Sequence, residues 1–154
     1  MKSLPEEVRL AEILRGYAPL GIAFSGGADS TALAVFASRV LNTGDVILLH
    51  AETPLAPGRE SQLVRETAKR YSIPLKTVFI DVLSDPAIRA NDSMRCYHCK
   101  KRIMGSVLDE LRSAGFRYLC DGANTDDFSD WRPGMKASAE LGVRHPFIEA
   151  GLGK

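Results

Sequence analysis

The fold of this chain is decided by the stretch LGIAFSGGADST, residues 20–31. A short apolar run ends there at two glycines, and apolar residues then recur at helical spacing. These later residues are Leu33, Phe36, Ala37, Val40 and Leu41. The glycines allow a sharp turn, and the following helix offers unpaired N–H groups and the positive end of its dipole. The stretch therefore predicts a strand, a phosphate-binding turn and a helix.

The alternation of strand and crossover helix continues along the chain. Apolar runs at 46–49, 77–82 and 116–120 predict further strands. A leading helix is expected to bury Leu4, Val8, Ala11 and Leu14. A helix after the second strand is expected to bury Leu63, Val64, Thr67, Ala68 and Tyr71. A third crossover helix is expected to bury Ile103, Met104, Val107, Leu108 and Leu111.

This pattern indicates the α/β class, with a parallel sheet of about four to five strands and helices on both faces. In such sheets a ligand binds beyond the carboxyl ends of the strands, where the strand order reverses. The segments expected to line a site are therefore 25–31, 50–59, 82–99 and 121–132.

Composition narrows the class of protein further. With 154 residues, 45% apolar and 25% charged, the chain is expected to form one globular domain. A formal charge of +1 argues against general coating of nucleic acid. No apolar run is long enough for a membrane span, and the first residues lack the apolar centre of a secretory signal. We expect a cytoplasmic protein without a membrane or bulk nucleic-acid partner.

The turn at 25–31 also carries polar side chains. The hydroxyls of Ser25, Ser30 and Thr31 can donate hydrogen bonds to phosphate, and Asp29 can orient magnesium or a backbone amide. The alternative is that the glycines only turn the chain, while Asp29 or Ser30 caps the helix. The spacing matches neither the Walker loop nor the dinucleotide-binding motif.

Residues 25–30 resemble the signature Ser-Gly-Gly-x-Asp-Ser of the PP-loop ATP pyrophosphatase superfamily. The resemblance implies a Rossmann-like fold of the adenine nucleotide alpha hydrolase (HUP) type. It implies that ATP, bound with Mg²⁺, is cleaved between its α and β phosphates, with AMP transferred to a substrate oxygen. The residues that it implies for binding ATP are Ser25, Gly26, Gly27, Asp29, Ser30, Thr31, His50 and Ala51. Asp29 and Ser30 are expected to act in catalysis.

Later motifs are similar in order and spacing to those of the LarE-type ATP-dependent sulfur transferases. They are RCYHCK at 95–100, DGANTDD at 121–127, RPG at 132–134 and EAGL at 149–152. This resemblance implies adenylation of a small-molecule carboxylate, such as a pyridinium mononucleotide. Sulfur then replaces the oxygen, in biosynthesis of the nickel-pincer cofactor.

These motifs supply further candidate site residues. Asp121 and Asp127 are candidates for holding magnesium, although Asp and Asn also favour turns. Arg132 and Lys154 are candidates for neutralising phosphate, with Lys154 also assigned to catalysis, or else they are surface charges. Gly122 is assigned to the nucleotide site as part of its motif.

Three interpretations of Cys96 and Cys99 remain open. They are inert core residues, ligands of Zn²⁺ or an iron–sulfur cluster, or a redox disulfide. Cys120 ends an apolar strand, so we interpret it as a buried core residue, with a third ligand as the alternative.

The functional hypothesis is therefore an adenylating enzyme whose PP-loop domain occupies residues 1–154. The LarE resemblance implies a further substrate and sulfur domain that these residues do not include. The alternatives are another PP-loop enzyme, such as a tRNA thiolase or an ammonia-dependent synthetase, and an ATP-binding module without turnover. The expected partners are ATP and a small carboxylate, and a homo-oligomer is compatible with each hypothesis.

Overall fold

The computed structural model describes residues 5–53, 58–81, 86, 95–123 and 139–152. Side chains are not described at 58–60, 95, 96 and 99. The strands of the described part are β1 (Leu20–Ala23), β2 (Val46–Glu52), β3 (Leu75–Phe79) and β4 (Tyr118–Cys120). The α-helices of the same part are α1 (Pro5–Tyr17), α2 (Ala28–Val40), α3 (Gly58–Arg70), α4 (Arg95–Ser113) and α5 (Pro146–Glu149), and a 3-10 helix (Thr43–Asp45) precedes β2.

The four strands form one parallel sheet in the order β3-β2-β1-β4. The chain proceeds outward from β1 to β2 and β3, and then crosses back to place β4 on the other side of β1. A single parallel bridge between Cys120 and Arg144 extends the sheet beyond β4. The predicted α/β class, with its parallel sheet, is confirmed. The strand order reverses between β1 and β4, which is where such sheets bind ligands.

Apolar residues of the strands alternate between two cores, one on each face of the sheet. Leu48 faces the core that α1, α2 and α3 cover, whereas Leu49 faces the core that α4 covers. Helices therefore cover both faces, as the sequence predicts. Among the described residues, no helix is long and apolar enough to cross a bilayer.

Some predicted helix faces and strand bounds were wrong. Leu4 lies outside the described residues. Of the other residues expected to be buried by the first helix and the helix after β2, Val8 is 47%, Leu63 49% and Tyr71 36% exposed, whereas Leu10, which is not among them, is buried. Each residue obeys the helical period, but these helices bury only a narrow stripe against the sheet. β3 begins at Leu75, two residues before the predicted start, because it pairs there with Leu48 of β2.

Candidate functional site

A cavity of about 480 Å³ opens at the carboxyl ends of β1, β2 and β4. Its volume is within the range of roughly 300–1,000 Å³ that is typical of ligand pockets. It is lined by residues 23–25, 49–51 and 121–123 at the strand ends, by Asp29 and Ser30 of α2, and by four residues of α4. Three of the four segments predicted to line a site thus contribute to one cavity, and most of 82–99 lies outside the described residues.

The turn after β1, residues 25–31, is called the phosphate loop below. Gly26 has φ of +86°, a conformation that side chains with a Cβ rarely adopt. Gly27 has an extended backbone and is the N-cap of α2. The helix therefore begins on a residue without a side chain, so neither Asp29 nor Ser30 occupies the capping position. The phosphate loop leads directly into the N-terminus of α2.

The hydroxyls of the phosphate loop form bonds within it. Ser25 Oγ lies 3.2 Å from Ser30 Oγ, and the Ser25 N–H donates to Ser30 Oγ at 3.3 Å. The Gly27 N–H donates to Ser25 Oγ at 3.3 Å, and Ser30 Oγ donates to the Gly27 carbonyl at the same distance. Ser30 is only 6% exposed, so it acts as the internal brace of the loop.

Gly122 lies where β4 meets the first turn of α2. A Cβ at this position would be 2.8 Å from both the Asp29 carbonyl carbon and the Ser30 nitrogen. These are backbone atoms that cannot swing away, so no larger residue fits without a shift of the loop. The structure thus gives Gly122 a packing role at the cavity, beside its predicted role in nucleotide binding.

Asp121 follows β4 and is 8% exposed. Its Oδ1 accepts hydrogen bonds from the Ala123 N–H at 3.1 Å and from His145 Nδ1 at 2.6 Å. Arg144 positions the same turn, because its carbonyl accepts from the Asp121 N–H at 3.0 Å. Sequence reasoning missed His145, which has no motif signal and is brought to Asp121 only by the bridge beside β4.

His50 is 3% exposed and lies at the floor of the cavity. Its Nδ1 donates to the Phe24 carbonyl at 2.9 Å, and its Nε2 lies 3.4 Å from Ser61 Oγ of α3. Ala51 lines the cavity beside it. The residues His50 and Ala51, predicted to bind ATP, thus lie at the cavity, and their contact with a nucleotide stays a prediction.

One wall of the cavity comes from α4. Its apolar part is formed by Ile103, Met104 and Val107, and Lys100 adds a cation. The sequence predicts these three apolar residues as a core face; Met104 and Val107 are buried in that core and, with Ile103 packed against it, they also line the cavity. Lys100 was not among the predicted nucleotide contacts.

Two carboxylates, Asp29 and Asp121, line the cavity. Mg²⁺ is usually bound by one or two carboxylates together with substrate phosphates, so this donor set fits it. Within the described residues, no group of three or more His, Cys, Asp or Glu could hold a metal ion. Thr31 is the second residue after Asp29 and is partly buried in the first turn of α2.

The remaining predicted site residues fall into two groups. Asp127, Arg132 and Lys154 lie outside the described residues, as do the side chains of Cys96 and Cys99 in the first turn and a half of α4. A metal or cluster at those cysteines therefore stays a prediction. Cys120 is fully buried, and burial raises the pKa of its thiol far above the usual range. Its predicted place in the core is confirmed.

The fold matches that of solved NMN and NAD synthetases. NMN synthetase from Francisella tularensis aligns with a TM-score of 0.69 at 16% identity, over 96% of this chain and 66% of that one. The NH3-dependent NAD synthetase from Campylobacter jejuni aligns with a TM-score of 0.67 at 14% identity, over 96% and 68%. At such identities the likeness concerns the fold alone. No protein-family model matches this chain.

Comparison of sequences identifies relatives of higher identity than these structures. The chain is 30% identical over 145 residues to pyridinium-3,5-bisthiocarboxylic acid mononucleotide synthase of Lactiplantibacillus plantarum, a LarE-type enzyme. It is 34% identical over 133 residues to an uncharacterized protein of Synechocystis sp.. The alignments cover 94% and 86% of this chain and 52% and 49% of the relatives. The chain spans about half the length of these relatives, and its resemblance to the LarE-type proteins is confirmed.

Proposed function

We propose that this chain binds ATP in the cavity and transfers AMP to an oxygen of a small-molecule carboxylate, releasing pyrophosphate. The outer phosphates would lie on the phosphate loop, and the adenine would lie between the end of β2 and the apolar wall of α4. A sulfide-level sulfur donor would then attack the acyl carbon of the adenylate and displace AMP, which leaves a thiocarboxylate.

The observation that carries this proposal is that the two ends of the cavity differ, one being polar and the other apolar. One end holds the amide terminus of α2 and the braced hydroxyls of Ser25 and Ser30, whereas the other end is apolar. The hydroxyls of Ser25 and Ser30 hold the loop in place, and backbone N–H groups that are already fixed can stabilise the charge that grows on a leaving pyrophosphate. Lys100 adds a positive charge to the same cavity.

Magnesium fits the same proposal, with Asp29 and Asp121 as the residues that would hold it. When bound, the ion would neutralise charge on the phosphate oxygens. The roles assigned to Asp127, Arg132 and Lys154 remain part of the proposal, and so do Zn²⁺ or an iron–sulfur cluster at Cys96 and Cys99.

Sulfur transfer is favoured over the alternatives by the relative whose name specifies a bisthiocarboxylic acid product. The expected substrate is by analogy a pyridinium mononucleotide that carries a carboxylate. An ammonia-dependent synthetase is the second candidate, because an NH3-dependent enzyme shares the fold. A tRNA thiolase is less favoured, since the net charge of the chain is only +1.

The test is pyrophosphate release from ATP by the longest chain that the reading frame encodes, with a pyridinium carboxylate mononucleotide as substrate. We expect release that depends on the substrate and falls at least about 100-fold in the double variant Asp29→Ala, Ser30→Ala. Ser38→Ala is the matched control, because Ser38 lies on the same helix and donates only to the Val35 carbonyl, at 2.7 Å. Full activity in the double variant would contradict the assigned site, and an amide product formed from ammonia would favour the second candidate.

A further inference from the structure

We propose that His50 is a positioning residue for the phosphate loop, because its imidazole continues the hydrogen bonding of the sheet where β1 separates from β2. The inference rests on the proposed function in one respect, namely that this loop binds phosphate. It assigns His50 a role different from a polar contact with adenine.

At the end of β1, backbone hydrogen bonds to β2 give way to a hydrogen bond from a side chain. The paired register of β1 and β2 runs to Ala23 opposite Leu49. The next N–H, that of Phe24, still donates to the Leu49 carbonyl at 2.9 Å. The Phe24 carbonyl accepts instead from the side chain of His50, also at 2.9 Å. The imidazole therefore holds the last peptide before the phosphate loop while the backbone turns away from β2.

The imidazole of His50 is itself held by a hydrogen bond at each ring nitrogen. A carbonyl can only accept, so Nδ1 must carry the hydrogen, and Nε2 can then accept from the Ser61 hydroxyl at 3.4 Å. His50 and Ser61 are 3% and 6% exposed, respectively. The ring thus joins the end of β1 to β2 and α3, and both of its polar atoms are used within the protein.

The peptide between Phe24 and Ser25 connects the imidazole to the phosphate loop. The Phe24 carbonyl belongs to the peptide whose N–H is that of Ser25, and this N–H donates to Ser30 Oγ. A rotation of this peptide would break the internal brace of the phosphate loop. The apolar wall of the cavity, which α4 provides, would be unaffected. Loss of the imidazole should therefore weaken binding at the phosphate end of the cavity more than at the adenine end, where Ala51 and the wall of α4 remain.

The test separates the two ends by using magnesium pyrophosphate and adenosine as probes in calorimetric titrations. His50→Leu leaves the buried Phe24 carbonyl without its partner, and we expect about tenfold weaker pyrophosphate binding. His50→Asn places an amide N–H where Nδ1 was and should restore affinity to within about twofold. Adenosine affinity should fall by less than pyrophosphate affinity in His50→Leu, and should stay within about twofold of wild type in His50→Asn. His50→Gln, whose amide reaches the Nε2 position, replaces His50→Leu if the latter does not fold, and should show the same loss.

Other results would overturn the inference. Weaker adenosine binding with unchanged pyrophosphate binding would make His50 an adenine contact. Equal losses for both probes, or no loss for either, would leave it a merely structural residue.

Hydrogen–deuterium exchange of residues 24–31 in the ligand-free protein distinguishes this inference from the proposed function. Exchange should be faster in His50→Leu, return to wild type in His50→Asn, and remain unchanged in residues 103–111. If wild type bound neither probe but exchange followed this pattern, the loop positioning would stand and the proposed function would fail. If wild type bound pyrophosphate while exchange did not respond, the positioning inference alone would fail.

Discussion

Two polar turns follow the neighbouring strands β1 and β4 at the cavity, and they are held in different ways. The phosphate loop is braced by its own groups, with the hydroxyls of Ser25 and Ser30 lying 3.2 Å apart. The turn at Asp121 is held by a distant residue, because His145, 24 positions later, contacts its carboxylate at 2.6 Å. Hydrogen bonds between sequence neighbours therefore brace the first turn, with His50 contacting the peptide before it, whereas a residue distant in sequence supports the second.

This difference predicts how each turn responds to mutation. Changes within the phosphate loop should affect one another and act mainly on ligand binding. Changes at the turn after β4 should act through residues that are remote in sequence, and should appear first as lost stability.

The largest effect is expected where the two turns touch. Gly122→Ala would place a Cβ 2.8 Å from backbone atoms of Asp29 and Ser30, and so force the turns apart. We expect the free energy of unfolding to fall by about 3 kcal/mol, with loss of ATP binding. Urea unfolding and calorimetric titration measure the two effects.

Gly105→Ala is the matched control for that substitution. Gly105 lies within α4, and a Cβ there would meet nothing within 4 Å. Alanine should raise the free energy of unfolding by roughly 0.5–1 kcal/mol, because it is the better helix former. Equal destabilisation by the two substitutions would contradict the close packing at Gly122.

The next effect breaks the remote support of the turn after β4. His145→Leu removes the donor to the largely buried Asp121 carboxylate, and we expect a loss of about 2 kcal/mol in unfolding free energy. His145→Asn keeps a donor at the Nδ1 position and should recover most of that loss. If the Asn and Leu variants were equally unstable, the hydrogen bond would not be the support.

A smaller effect tests the internal brace of the phosphate loop. Because the hydroxyls of Ser25 and Ser30 contact each other, the two alanine substitutions should be non-additive by about 1 kcal/mol in ATP-binding free energy. Ser25→Ala combined with Ser38→Ala should be additive, since Ser38 bonds elsewhere. A double-mutant cycle measures both coupling energies. A coupling energy of zero between Ser25 and Ser30 would contradict the internal brace.

Tyr17 of α1 gives the smallest effect on stability at neutral pH. Its hydroxyl donates to the carboxylate of Glu149, four residues after His145. Burial, helped by the carboxylate of Glu149, raises the pKa of Tyr17 from 10.0 to about 12. The neutral phenol is therefore favoured in the folded protein, so its contribution is complete below pH 10.0 and is lost as the pH rises toward about 12. Unfolding measured across this window should show a decline that Tyr17→Phe lessens. An identical decline in both proteins would contradict the assignment.

The sequence alone predicts those parts of the site that depend on neighbours in the chain. The glycines and hydroxyls at 25–31 identify the phosphate loop, since backbone freedom and local hydrogen bonds are short-range properties. The apolar runs likewise predict the parallel sheet and the start of β2, although pairing between β2 and β3 sets where β2 ends and where β3 begins and ends. Periodicity overestimated the buried faces at Val8 and Leu63, because burial also depends on how much of a helix the sheet can cover.

The sequence does not predict contacts that depend on tertiary structure. His145 reaches Asp121 through a bridge beside β4, and Ser61 reaches His50 from another helix. The tight fit of Gly122 against α2 requires the relative position of two elements, which no local pattern contains.

The most direct test of the central claim is a crystal structure with Mg²⁺ and an ATP analogue that carries a methylene between its α and β phosphorus atoms. We expect the β and γ phosphates within hydrogen-bonding distance of backbone amides at 27–30, with the adenine between Ala51 and Met104. A triphosphate bound elsewhere, with the phosphate loop empty, would contradict the account.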